Sequence, residues 1–392
     1  MGSLDFTSPS FDSSAELIFL GTGTSSSLPH VDCLTAPPGA KPCRTCLSTL
    51  TPEGKKNIRR NTSAAVRLRA KDGSDVTIII DVGKSFQPAA VEWFPKYGLR
   101  RIDAVLITHA HADAMNGLDD LRGWTLHGVI QPHIDLYVSM ATFKEVQRAF
   151  PYLISKEFAS GGGDVPEFKW HIIEDRVPFE IGDTGIQITP FAVHHGRIFT
   201  PSPPLDASMS ATPYSISPAS TNASTPSVPG TPVHVPTAVP TEPVKQIQPY
   251  LCFGFIIQDA ITYLSDVSHI PEDVWAMLKS MRRIPPLFVL DCLRVQPHPS
   301  HLSVTEAVAV AKRMNAQRTY LLGFTHDLAH DDFVTIGEAA GGKKLEDAGL
   351  SLIERHGLSS IQEDRTIWTR PAYDGLRVFV SEEGLVRDEC YR

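Results

Sequence analysis

The sequence predicts a layered α/β fold with a mostly buried sheet. Short runs of β-branched and large apolar residues recur along the chain, Gly, Pro, Asn or Asp bound many of them, and segments of helical periodicity stand between them. Glu16-Leu17-Ile18-Phe19-Leu20 reads as the first strand, and Gly21-Thr22-Gly23-Thr24-Ser25 as a tight turn after it. Alternating apolar residues over 63–69 and the β-branched run 76–80 predict two more strands, the second ending in Asp81-Val82-Gly83. A helix is expected over 88–97, and 102–108 is expected as a buried strand that runs straight into His109. Further strands are expected at 134–139, 186–193, 251–257, 261–264, 287–290 and 319–323. Helical spacing is clearest at 271–281 and 303–314.

Composition narrows the function classes. With 392 residues, 42% of them hydrophobic, the chain has ample material for a large core. A net charge of −8 gives no general attraction to nucleic acid or to anionic membranes, although a local metal charge still permits a small anionic substrate. No stretch approaches the ~18 apolar residues of a membrane span. The first fourteen residues carry neither a basic region nor an apolar run, so no secretory signal is expected. Six cysteines are too few for a disulfide scaffold and point to a reduced compartment, the cytoplasm with the nucleus left open. Residues 1–14 read as a disordered tail and 26–61 as an irregular lobe rich in Pro, Cys and Lys/Arg. The Pro/Ser/Thr/Ala-dominated stretch 200–248 reads as a disordered insertion, because it cannot bury enough apolar surface to offset its ordering entropy. A single domain is expected to span 15–199 and 249–392, since metal-type residues lie on both sides of the insertion.

The strongest signal is Thr108-His109-Ala110-His111-Ala112-Asp113-Ala114. A buried strand delivers two imidazoles two residues apart, and a carboxylate follows after two more. Those are ligands that divalent zinc, manganese or iron accept, and a strand end fixes their direction. Val193-His194-His195-Gly196 adds a second imidazole source. Adjacent side chains on a strand point to opposite faces, so one of the two histidines can reach a shared metal. Cys33-x9-Cys43-x2-Cys46 is a structural-zinc arrangement that needs one more ligand. Asp119, Asp120 and His127 lie just downstream of the main motif and read as helix-start carboxylates and a surface His.

These residues resemble the metallo-β-lactamase superfamily, whose hallmark is His-x-His-x-Asp-His after a strand. The resemblance implies a four-layer αββα sandwich and two active-site metal positions, one on His109, His111, His195 and a bridging Asp266, the other on Asp113, Asp266 and His326. It implies His195 rather than His194 because the family's ligand precedes Gly, and it makes Asp81 a support for a ligand His. Ala114 stands where the family has its second-site His, so the second site is expected to be weak. The clustered cysteines resemble those of the phosphoribosyl cyclic phosphate phosphodiesterase branch. That likeness implies a structural zinc on Cys33, Cys43, Cys46 and His330.

The chemistry expected is hydrolysis by a metal-bound hydroxide, since a divalent metal lowers the pKa of water to about 7. Asp113 or Asp266 would orient the nucleophile, and His301 in Ser300-His301-Leu302-Ser303 would protonate the leaving group. A small cyclic or nucleotide-like phosphate ester is the expected substrate, with zinc or manganese as metal. Hydrolysis of an ester, lactone or thioester with one tight metal is the alternative, and a non-catalytic scaffold a further one. Maturation of tRNA ends ranks low, because a basic arm is missing and the net charge is negative. The sequence is compatible with a homodimer.

Overall fold

A computed structural model describes residues 13–198, 248–344, 351–359, 361 and 365–391. The expected tail, from 1 to 12, and the expected insertion, from 199 to 247, lie outside the described residues. By its contacts the chain divides into a compact unit, 1–197 with 249–392, and the unit 198–248, of which only Ile198 and Gln248 are described.

Among the described residues, fifteen strands form two sheets. The first contains β1 (Ser13–Gly21), β2 (Ser63–Arg69), β3 (Asp75–Ile80), β4 (Ala104–Leu106), β5 (Ile134–Val138) and β6 (Phe168–Ile172). The second contains β7 (Phe179–Glu180), β8 (Gln187–Ile198), β9 (Gln248–Ile257), β10 (Ile261–Leu264), β11 (Leu287–Asp291), β12 (Arg318–Leu322) and β13 (Thr369–Pro371). The chain then returns to the first sheet as β14 (Arg377–Ser381) and β15 (Val386–Asp388), giving the orders β15-β14-β1-β2-β3-β4-β5-β6 and β13-β12-β11-β10-β9-β8-β7. The C-terminal strands β13, β14 and β15 thus complete both sheets. β1 begins at Ser13, two residues inside the expected tail.

The two-residue period of a strand explains the layers. In β3, Ile78 and Ile80 join Leu17, Phe19 and Val66 against Phe255, Tyr263, Val289 and Tyr320 of the second sheet. Ile79 faces the other way, with Ile18, Leu20, Val105 and Ile107, onto Phe86, Ala90 and Phe94 of the helix Phe86–Tyr97. On the far side, Leu264, Phe288, Leu290 and Leu321 pack on the helices Glu272–Ser280 and Val304–Met314. Sheet lies on sheet with helices outside both, the αββα sandwich. β3, β4 and β5 run parallel, as do β10, β11, β12 and β13, so the loops after β3, β4, β10 and β11 leave at carboxyl ends, where α/β sheets gather functional residues.

Candidate metal centre

β4 leads through Ile107 and Thr108 to His109, and the chain turns into the short helix Ala112–Met115, which carries Asp113 in its first turn. β8 brings His195 from the other sheet. Alternation puts His194 on the opposite side, against His269 with ring centroids 5.2 Å apart. His109, His111 and His195 converge, each offering a ring nitrogen within 4.8 Å of the others.

Hydrogen bonds fix which nitrogens are offered. The Thr108 hydroxyl donates to Asp81 Oδ2 at 2.8 Å, so its oxygen accepts from His109 Nδ1, also at 2.8 Å. That leaves His109 Nε2 bare, and it is buried without a hydrogen-bond partner. His195 Nδ1 donates to the Ser300 carbonyl at 2.8 Å, so its Nε2 faces His111 Nδ1 across 3.3 Å. Burial holds His109 well below the usual imidazole range and brings His111 down to about 4. Neutral imidazoles with lone pairs aimed at one point, one of them buried and orphaned, fit a divalent cation. Tyr250 stacks flat on His111, with centroids 4.7 Å apart and planes 2° apart, and its hydroxyl accepts from the Ala110 N–H.

Asp81, buried and in the left-handed region at φ +60°, also accepts from the Thr108 N–H at 2.8 Å. It reaches His109 through the threonine hydroxyl. Asp266 groups with His195 and His301 rather than with the complete imidazole trio. Burial would raise its pKa, but His109, His195 and His301 outweigh that and hold it at about 2. Asp113 is half-buried, and burial and then Asp266 push its carboxyl up.

His301 is set by a residue that sequence reasoning missed. Asp291, fully buried at the end of β11, places both carboxylate oxygens 3.2 Å from His301 Nδ1 and accepts the Leu302 N–H at 2.9 Å. His301 Nδ1 also lies 3.9 Å from Asp266 Oδ1. Burial alone would lower its pKa, but Asp291 and Asp266 raise it to about 9. The signal was present, because Asp291 ends a buried apolar run as Asp81 does. Tyr250 had no signal, since nothing in its local sequence ties it to the His motif.

Two site expectations are corrected. His326 does not join the active-site imidazoles. Its Nδ1 lies 3.2 Å from Cys33 Sγ, 3.7 Å from Cys43 Sγ and 3.6 Å from Cys46 Sγ, and all four ligand atoms lie within 4.8 Å of one another. The cause is the turn after β12. Gly323 has φ +83°, where a Cβ would meet Asp291 Oδ1 at 2.6 Å, and the chain leaves the site there. Buried Arg59 then anchors the segment in the lobe through the carbonyls of Thr325 and Leu328. His330 is not the fourth ligand of the cysteines. It is buried at the start of the helix His330–Ala340, its Nε2 shares a 2.8 Å hydrogen bond with the Tyr391 hydroxyl, and burial brings it down to about 3. Three sulfurs and one imidazole nitrogen are a structural-zinc donor set. Burial and then the neighbouring thiols Cys46 and Cys43 push the Cys33 thiol up to about 12, the crowding that a bound cation relieves. Asp119 pairs with Arg122 at 2.5 Å, and neither it, Asp120 nor His127 belongs to a metal-type cluster among the described residues.

The sandwich and the convergent histidines together define a metallohydrolase-type scaffold. Residues 77–215 and 205–324 match the family model described as β-lactamase superfamily domain, and the chain belongs to the metallo-β-lactamase superfamily. Over 181 residues it is 29% identical to an octanoyltransferase of Porphyromonas gingivalis (strain ATCC BAA-308 / W83), a match covering 46% of this chain and 31% of that protein. The chain thus spans about a third of that relative's length. Among solved structures, it is similar to a diphosphatase from the PhnP family (22% identity, TM-score 0.56, covering 93% of this chain and 96% of that one). It is also similar to Zn(2+)-bound PqqB from Methylobacterium extorquens (14% identity, TM-score 0.54, covering 92% and 99%). No helix among the described residues is long and apolar enough to cross a membrane.

Proposed function

We propose that the chain is a metal-dependent hydrolase acting on phosphodiesters of small cyclic or nucleotide-like substrates. The observation that carries this reading is the His301–Asp291 pair beside Asp266 and the imidazole trio. An alkoxide leaving a phosphodiester needs a proton, and His301 holds one at neutral pH next to the ligand cluster. His109 Nε2, His111 Nδ1, His195 Nε2 and Asp266 would hold the ion, zinc or manganese by donor type. A divalent ion supplies there the acidification of a water molecule and the neutralisation of charge on phosphoryl oxygens. Asp113, its carboxyl raised by burial and by Asp266, accepts the water's proton. His301 keeps Nδ1 on Asp291 and delivers the Nε2 proton to the leaving oxygen. Cys33, Cys43, Cys46 and His326 would hold a structural zinc that braces the lobe.

The test is turnover of bis(p-nitrophenyl) phosphate against p-nitrophenyl acetate, with manganese, zinc and EDTA compared. Diester cleavage that EDTA abolishes is expected. Ester turnover alone would replace the substrate class with carboxylic esters, a chemistry that a single ion can also support, and silence on both substrates would leave a binding scaffold.

A further inference from the structure

We propose that the half of the site beside Asp113 holds no second transition metal, and that the ammonium of Lys84 there receives the oxyanion of the substrate. The proposal rests on the hydrolase reading and adds to it a residue that binds substrate.

The donor inventory comes first. Among the described residues, the metal-type groupings at the site are His109–His111–His195 and His195–Asp266–His301, and Asp113 belongs to neither. Its chain neighbour Ala114 is buried and offers a methyl group. At the end of β12, Gly323 stands against Asp291 with no room for a side chain, and His326 is spent on the cysteines. Among the described residues, Asp113 is thus left with Asp266 as its carboxylate partner toward a second ion. Two carboxylates make a weak transition-metal site, and one already serves the first ion.

Lys84 is built into that half. It follows Asp81-Val82-Gly83, a loop clamped onto the turn that carries Asp113. The Val82 N–H donates to the Ala114 carbonyl at 2.8 Å, and the Val82 carbonyl accepts from Gly117 at 2.7 Å. Gly83 is pressed so close that a Cβ on it would lie 1.8 Å from the Asp113 carbonyl oxygen, and only glycine permits that approach. Lys84 Nζ donates to the Ser25 carbonyl at 2.5 Å, and Asn61 Nδ2, from a buried side chain, donates to the same oxygen at 3.2 Å. One of three N–H donors is thereby used, and the exposed head keeps two for an anion. Lys84 is also among the charges that pull the Asp113 carboxyl down against burial and Asp266.

The experiment uses the full chain with metal loaded, comparing wild type, Lys84→Met and Lys84→Arg. Metal per chain is measured by plasma mass spectrometry, and binding of inorganic phosphate and of acetate by calorimetry. One active-site metal besides that of the cysteine site is expected in all three proteins. Phosphate affinity should fall at least tenfold in Lys84→Met, about 1.4 kcal/mol, and return to within about threefold in Lys84→Arg, since a guanidinium keeps the charge. Acetate should bind less tightly than phosphate and show a smaller drop. A second active-site metal at equal occupancy, or unchanged phosphate affinity in Lys84→Met, overturns the proposal. If wild type cleaves neither diester nor ester while phosphate binding still follows Lys84, the hydrolase reading fails and what stands is the anion site at Lys84. Diester cleavage with phosphate binding indifferent to Lys84 gives the reverse.

Discussion

At the scale of single side chains, partners rather than residue type divide the labour among the histidines. His109 gives its Nδ1 proton to Thr108, His195 gives its own to Ser300, and both are left with a lone pair for a metal. His301 instead faces the buried carboxylate of Asp291, which favours the protonated ring. Replacing Asp291 by Asn should therefore leave metal content unchanged and slow cleavage of a diester with an alkoxide leaving group by about 10²–10⁴-fold. Cleavage of bis(p-nitrophenyl) phosphate should fall far less, because p-nitrophenolate departs without a proton. Equal losses on both substrates would show that Asp291 merely supports the fold.

At the scale of elements, one turn decides which site a histidine serves. β12 and the residues after it are a strand followed by a His, and the family resemblance assigned His326 to the active site. The left-handed turn at Gly323 and the Arg59 anchor send the segment into the cysteine lobe. His326→Ala should then lose the zinc of the cysteine site while retaining the active-site metal, and His330→Gln should lose neither. Metal analysis of the two variants measures this, and zinc loss from His330→Gln alone would restore the assignment made from sequence. The strands themselves were legible: β2, β3, β10, β11 and β12 fall within a residue of where the sequence pattern puts them, and β9 starts three residues earlier than expected. β7, β13 and β15 were not, because strands of two or three residues are too short to show a period, and β6 was passed over although Phe168-Lys169-Trp170-His171-Ile172 alternates apolar with polar side chains.

At the scale of the whole molecule, the site is a property of two sheets facing each other. His109 and Asp81 follow strands of the first sheet, while His195 and Asp291 lie in strands of the second and Asp266 follows one. The chain's last residues close the structure by packing Tyr391 on His330 beside the lobe. That closure makes stability depend on pH. His330 has a folded-state pKa of about 3 against an ordinary 6.5, so below pH 6.5 the unfolded chain takes up a proton that the folded one refuses. This group's contribution is intact above pH 6.5 and is lost as pH falls toward 3, at about 1.4 kcal/mol per unit. Chemical unfolding at pH 7, 6, 5 and 4 should show a shallower acid decline for His330→Gln than for wild type, and parallel curves would contradict the buried neutral ring.

Local pattern determined the fold class, the strand-delivered His-x-His-x-Asp, the cysteine trio, and the choice of residue types for a divalent cation. These are short-range facts, fixed by strand period and ligand chemistry. Tertiary structure decided the rest: that His326 completes the cysteine cluster, that Asp291 holds His301, and that Lys84 shares a corner with Asp113. Each depends on where a chain goes after a turn, and a turn such as Gly323 is set by contacts with residues far away in sequence.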